Sequence, residues 1–296
     1  MLSKRVLPVT ACIGLCVFAS LRAGQPERPA RSRPRPEPLK TQCVRGSLHQ
    51  VSGGGAHSFF YVGPDEVLVI DAKMTTKAAG QVLAAIRKLT DKPVRRVVLT
   101  HSDGDHVNGL AGYPSPLTII SHANARQDIA RANKAATTKL PLPNETFAKQ
   151  LNLYLGDVEV QLRHFGPAHT SGDVVVCIPS VKAAIVGDLV FVGRDPLIHA
   201  HKKGSSFGLV SVLKSLLQLD VNVFLSGHSD AVDRKTVEAL AAQIEQKQAK
   251  VKALVQEGKT LDEVKAVFAA GGKPATGGRR WPSLVEIIYR ELKEKK

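Results

Sequence analysis

"THSDGDHVNG", residues 100–109, places His101, Asp103, Asp105 and His106 within six residues, directly after the apolar run Val97-Val98-Leu99. A short β-branched run of this kind reads as a buried strand, so the four polar groups begin where the strand ends. Imidazole nitrogen and carboxylate oxygen both ligate divalent cations. In an extended or tightly turned segment, residues 101, 103 and 105 point one way and 106 points towards a different centre. One loop can therefore serve two metal positions.

Three later stretches offer matching donors. His169 lies in "GPAHTSGD" (166–173), Asp188 in "IVGDLV" (185–190) and His228 in "LSGHSD" (225–230). Each follows an apolar run or a Gly/Pro turn, which puts it at a strand end where loops converge. His199 and His201, in "DPLIHAHKKGSS", fit either an exposed loop or contact with substrate. His57, after Gly53-Gly54-Gly55, could face the same site, whereas His49, His122 and His164 read as surface or satisfied core residues.

Between 42 and 230, strand-like runs alternate with turns and helices. The runs are Phe59 to Val62, Val67 to Ile70, Val97 to Leu99, Leu117 to Ile120, Val158 to Leu162, Val174 to Ile178, Ala183 to Val186 and Val221 to Leu225. Apolar spacing predicts helices over 75–89 and 207–218. Sheets covered by helices follow, an α/β or α+β architecture. The segment 231–296 is helical: one apolar stripe runs from Val237 to Val255 and stops at Gly258, Thr260 and Glu263 form a capping box, and Pro282 opens a last helix.

The order and separations of "THSDGDHVNG", "GPAHTSGD", "GDL" and "GHSD" resemble the metallo-β-lactamase superfamily over 42–230. The resemblance implies an α+β, four-layered αββα sandwich with a site for two divalent metal ions, usually zinc. Carried over by position, it implies that His101, Asp103 and His169 hold one metal, that Asp105, His106 and His228 hold the other, and that Asp188 bridges them. "VLVIDAK" (67–73) resembles the family strand that ends in aspartate, making Asp71 a residue that orients the ligand loop. Asp103 is the departure, because the family's HxHxDH pattern has histidine there. It either binds metal or only accepts a hydrogen bond from a ligand, and its hard oxygen admits manganese or iron beside zinc.

Two cations would make water available as a nucleophile towards a carbonyl, and the resemblance gives Asp105 the proton. The expectation is an exported metallo-hydrolase with a small-molecule substrate, a β-lactam first. A bridging Asp188 is foreign to the established β-lactamases of this fold. It suits thioesterase, lactonase or glyoxalase-type relatives, which are the alternative. A non-catalytic metal-binding protein of the same fold is a further alternative.

The formal charge of +15 raises the question of a nucleic-acid partner. Part of it belongs to the linker read over 24–41, where residues 25–40 hold five prolines and five Arg/Lys and cannot build a core. No nucleic-acid partner is expected, and the oligomeric state stays open. The linker is a solvated spacer or meets an anionic envelope surface. Lys4 and Arg5 before an apolar stretch, with Ala23-Gly24 after it, read as a signal peptide over 1–23 or an uncleaved anchor. A periplasmic or secreted protein follows from the first. Cys12 and Cys16 lie in that segment, so only Cys43 and Cys177 would remain, and a disulfide between them is permitted without being implied.

Overall fold

Strands that are apolar on both faces need cover on both sides, and this chain supplies it. The computed structural model describes residues 39–269 and 281–294. The signal peptide expected at 1–23 and the linker as far as residue 38 lie outside the described residues. No described helix is long and apolar enough to cross a membrane.

The first sheet has seven strands in sequence order: β1 (Lys40–Arg45), β2 (Leu48–Ser52), β3 (Ser58–Val62), β4 (Val67–Ile70), β5 (Val94–Val98), β6 (Thr118–His122) and β7 (Glu145–Phe147). β1 starts at Lys40, inside the stretch read as linker. Pairing is antiparallel from β1 to β4 and parallel from β4 to β7. The second sheet holds β8 (Gln150–Leu155), β9 (Val158–Arg163), β10 (Val175–Ile178), β11 (Ala183–Gly187) and β12 (Val223–Ser226), in the order β12-β11-β10-β9-β8. Only β11 and β12 pair in parallel there.

The period-two alternation of β4 shows how the layers form. Leu68 and Ile70 enter the apolar layer between the sheets, with Phe59, Val98, Leu162, Val176 and Ile185. Val67 and Val69 point the opposite way, onto Ala79, Val82 and Ile86 of α1 (Thr76–Arg87). The one-turn α2 (Gly104–Val107) and α3 (Ala123–Ala135) follow on the same side of the chain's course. The outer face of the second sheet is covered by α4 (Ser206–Leu216), α5 (Arg234–Gln256) and α7 (Leu284–Glu294) through Leu209, Leu213, Val237, Ile244 and Ile288. The short α6 (Leu261–Ala269) adds Val264 to that cluster. The result is the expected αββα sandwich with C-terminal helices.

Each fully buried aliphatic or aromatic side chain contributes roughly 1.5–3 kcal/mol. Three apolar layers therefore fix the frame independently of the loops at its edge. Helix ends agree with the sequence: Thr75, Ser205 and Asp233 cap α1, α4 and α5, and Thr260 and Glu263 form the capping box before α6. Gly258 takes φ +80°, the left-handed turn that stops α5. Cys43 is exposed and Cys177 buried, and both are free thiols.

Candidate metal centre

The pairing directions decide where the polar groups meet. β9 and β11 run the same way, because both are antiparallel to β10. The loops after β9, β11 and β12 therefore leave one edge of the second sheet, carrying His169, Asp188 and His228. The loops after β4 and β5 leave the first sheet with Asp71 and His101. Two backbone hydrogen bonds stitch the sheets at this edge, His57 N–H to Gly227 O (2.7 Å) and Val174 N–H to Thr100 O (2.7 Å).

All seven expected donors converge there in two clusters. His101, Asp103, His169 and Asp188 form one, and Asp105, His106 and His228 the other, with ligand atoms inside each cluster within 4.8 Å of one another. Strict alternation along 101–105 does not hold. Asp103 is extended (φ −76°, ψ 147°), and α2 begins at Gly104, so the helical turn carries Asp105 with His106 to the second cluster. Asp188 touches both: its Oδ2 lies 3.9 Å from the Nε2 atoms of His101 and His169 and 3.3 Å from His228 Nε2, while its Oδ1 lies 3.3 Å from His106 Nε2.

The imidazoles are held from behind through Nδ1, which leaves Nε2 aimed inward. His106 Nδ1 meets Asp71 Oδ2 at 2.7 Å, and His169 Nδ1 meets Leu197 O at 2.7 Å. His101 Nδ1 meets Thr100 Oγ1 at 3.0 Å, and that hydroxyl donates to Asp71 Oδ2 at 2.8 Å. Asp71, at 0% exposure and φ +63°, thus orients one histidine of each cluster.

The donors fit a cation. His101 Nε2, His106 Nε2 and Asp188 Oδ1 are buried with no hydrogen-bond partner among the described residues, an expensive arrangement unless something else satisfies them. Gly227 leaves room: a Cβ there would lie 2.5 Å from Asp188 Oδ1 and 2.8 Å from His106 Cε1. Electrostatics agree. Burial pushes Asp188 and Asp105 up, but neighbouring imidazoles hold both carboxyls below the usual range. Burial pulls His169 and His228 down, yet the hydrogen bonds that the first donates to Asp103 and the second to Asp105 and Asp188 raise each to about 9. A cation satisfies the same carboxylates and competes with those protons.

Asp103 has company that the sequence did not reveal. Its Oδ2 lies 3.1 Å from His169 Nε2 and 2.7 Å from His199 Nε2, and its Oδ1 accepts from Lys202 Nζ at 2.5 Å. Burial raises its pKa, but the imidazoles of His101, His169 and His199 together hold it far below the carboxylate range. His199 is therefore buried beside a donor and is no exposed loop residue, while His201 lines the cavity in front of the centre. Trp281 and Arg194 line it too. Nothing in "HKKG" or in the single tryptophan of the chain signals these contacts, because they join residues about a hundred or more positions from Asp103 or reach past the family's motifs. His57 instead hydrogen-bonds Ser226 O at 3.2 Å and Gln50 at 3.1 Å, lining a neighbouring hollow with His228. Of the remaining histidines, His49 stacks on Phe60, and His122 stacks on His164.

Sandwich and donor clusters together define a chain of the metallo-β-lactamase superfamily, whose family model matches residues 51–228. The chain belongs to that family. It is 25% identical over 203 residues to the 2,4-dinitroanisole O-demethylase subunit alpha of Nocardioides sp. (strain JS1661), covering 68% of this chain and 61% of that one. A linear primary-alkylsulfatase of Pseudomonas sp. (strain ATCC 19151) is 35% identical over 58 residues, 20% of this chain and 11% of the relative. The chain thus spans less than two thirds of either relative's length. Among solved structures, a metallo-β-lactamase from Pontibacter korlensis superposes with TM-score 0.61 at 17% identity, covering 70% of this chain and 99% of that one. A stereoselective inverting sec-alkylsulfatase from Pseudomonas sp. gives 0.68 at 15% identity, covering 86% and 50%. At those identities the structures show a shared fold. The alkylsulfatases and β-lactamases among these relatives are hydrolases.

Proposed function

We propose that the chain is a dinuclear metal-dependent hydrolase of a small molecule, and that an acyl bond, a β-lactam included, is what it cleaves. The observation that carries this is Asp188, whose two carboxylate oxygens face both donor clusters. His101, Asp103 and His169 would hold one cation, Asp105, His106 and His228 the other, and Asp188 would touch both. Such ions supply Lewis acidity and lower the pKa of bound water towards neutrality.

The rest is work for the chain's own atoms. Asp71 and Thr100 fix the ring orientations, so the Nε2 lone pairs need no reorganisation. Asp105 Oδ2, held 3.1 Å from His228 Nε2, borders the cavity of about 430 Å³ and stays ionised at neutral pH, ready to take a proton from water. Export of the mature chain belongs to the same proposal, since it is where a β-lactam or an envelope-borne ester would be met.

A second reading is sulfate-ester hydrolysis. It is favoured by the sec-alkylsulfatase, whose fold covers 86% of this chain, a larger share than the β-lactamase covers. One screen tests both. Chelator-stripped protein, reloaded with zinc, manganese or iron, is given nitrocefin, 4-nitrophenyl acetate, a lactone, a thioester and 4-nitrophenyl sulfate. Metal-restored turnover of a carbonyl substrate supports the first reading, and turnover of the sulfate alone the second. Metal bound without turnover of any would leave the non-catalytic alternative.

A further inference from the structure

Six large apolar side chains stand exposed among the described residues, and two of them line the cavity at this site. Met74 (41% exposed) and Trp281 (38%) line the cavity that holds Asp103, Asp105 and Asp188, and Val192 lines the adjoining hollow beside His228. Exposed apolar groups scattered singly need no explanation, but two that line one polar cavity offer apolar surface that a ligand there would cover.

Trp281 precedes α7 and lies beyond the stretch 51–228 that the family model matches. Its ring lies edge-on to His199, with centroids 4.8 Å apart, and parallel to His201, at 6.0 Å and 10°. His199 in turn contacts Asp103 at 2.7 Å. The C-terminal segment thus brings a planar apolar face to within two contacts of the donor atoms. A cavity of about 430 Å³ is large enough for a reacting bond with one ring attached to it.

We infer that the substrate carries a compact, planar apolar body next to the bond that is cleaved, and that this body lies against Trp281 and Met74. Trp281 acts on specificity and has no part in the bond-breaking step. The inference rests on the metal-centre reading, and the experiment keeps the two apart.

Acetohydroxamate and benzohydroxamate share a cation-chelating head and differ in the body attached to it. Calorimetric titration of zinc-loaded protein should show benzohydroxamate binding about tenfold tighter or more, as expected for covering one ring face. It should also change the emission of Trp281, which the sole tryptophan reports without background. In Trp281→Ala most of that preference should vanish with the acetohydroxamate Kd unchanged, Trp281→Phe should keep part of it, and Tyr154→Ala, an exposed aromatic outside the cavity lining, should keep all of it. An equal preference in Trp281→Ala would overturn the inference. So would loss of acetohydroxamate binding there, because the ring would then be supporting the donors. If neither hydroxamate binds the loaded parent, the metal centre itself fails, and the inference with it.

Discussion

Replacing Asp103 with histidine would recreate the family's HxHxDH pattern, and the structure predicts that this alone weakens the site. Lys202 Nζ lies 2.5 Å from Asp103 Oδ1, with the two side chains 18% and 15% exposed. At an effective dielectric of about 20 the gross attraction is roughly 6–7 kcal/mol. Desolvation offsets much of it, leaving a net loss of about 2–3 kcal/mol when one partner of such a pair is removed. In Asp103→His the ammonium stays, unpaired, beside a cation, so the affinity of the first cluster should fall roughly 30- to 150-fold. Adding Lys202→Met should return it to within about tenfold of the parent, because a neutral imidazole then replaces a neutral Asp–Lys couple. The same couple offsets the preference for hard metals that a lone carboxylate would bring. Competition with a chromophoric chelator resolves both equivalents of zinc or manganese across the four proteins. Parental affinity in Asp103→His, or an equal effect of Lys202→Met in either background, would refute the reasoning.

Three further outcomes follow from the same contacts. His169 and His228, raised to about 9, carry protons at pH 7 that a cation must displace, so loading at pH 7 should release protons, and apparent affinity should rise with pH and level off above about 9. Metal titration in a weakly buffered dye solution measures this, and uptake without acidification would contradict it. Asp71→Asn should weaken metal binding by about ten- to a hundredfold while the melting curve stays cooperative, since it loosens His106 and the Thr100–His101 link. Unchanged affinity would remove Asp71 from that role. The ammonium of Lys73, fully buried, donates to the carbonyls of Val51, Gly53 and Ala56 at 2.7–2.8 Å, so Lys73→Met should cost about 2–4 kcal/mol, a fall in Tm of roughly 5–10 °C. A melting curve within a degree of the parent's would show that those carbonyls find other donors.

The parts of the fold that depend on period and punctuation were legible in the sequence. Val67 to Ile70, Val174 to Ile178, the stripe of α5 and its stop at Gly258 announce themselves locally. β1 did not, because five of its six residues are exposed and Lys40 and Thr41 look like the linker before them. α3 was hidden by its polarity, since Ala125 and Ile129 are its only buried apolar residues. The donor set was readable because its residues sit in short Gly-rich motifs after strands. What surrounds Asp103 was not. Its partners Lys202 and His199 reach it from nearly a hundred residues away, through a turn whose geometry no local pattern encodes, and Trp281 arrives from outside the motifs altogether. The alternation expected over 101–105 failed for a local reason, the helical turn starting at Gly104.

The most direct test of the central claim is the metal content of the purified chain, reloaded and desalted, beside that of Asp188→Ala. Two equivalents per chain in the parent, with Asp188→Ala keeping its fold but losing metal and metal-dependent turnover together, is the predicted result. A parent that retains no metal, or an Asp188→Ala protein with two tightly bound ions and undiminished turnover, would contradict it.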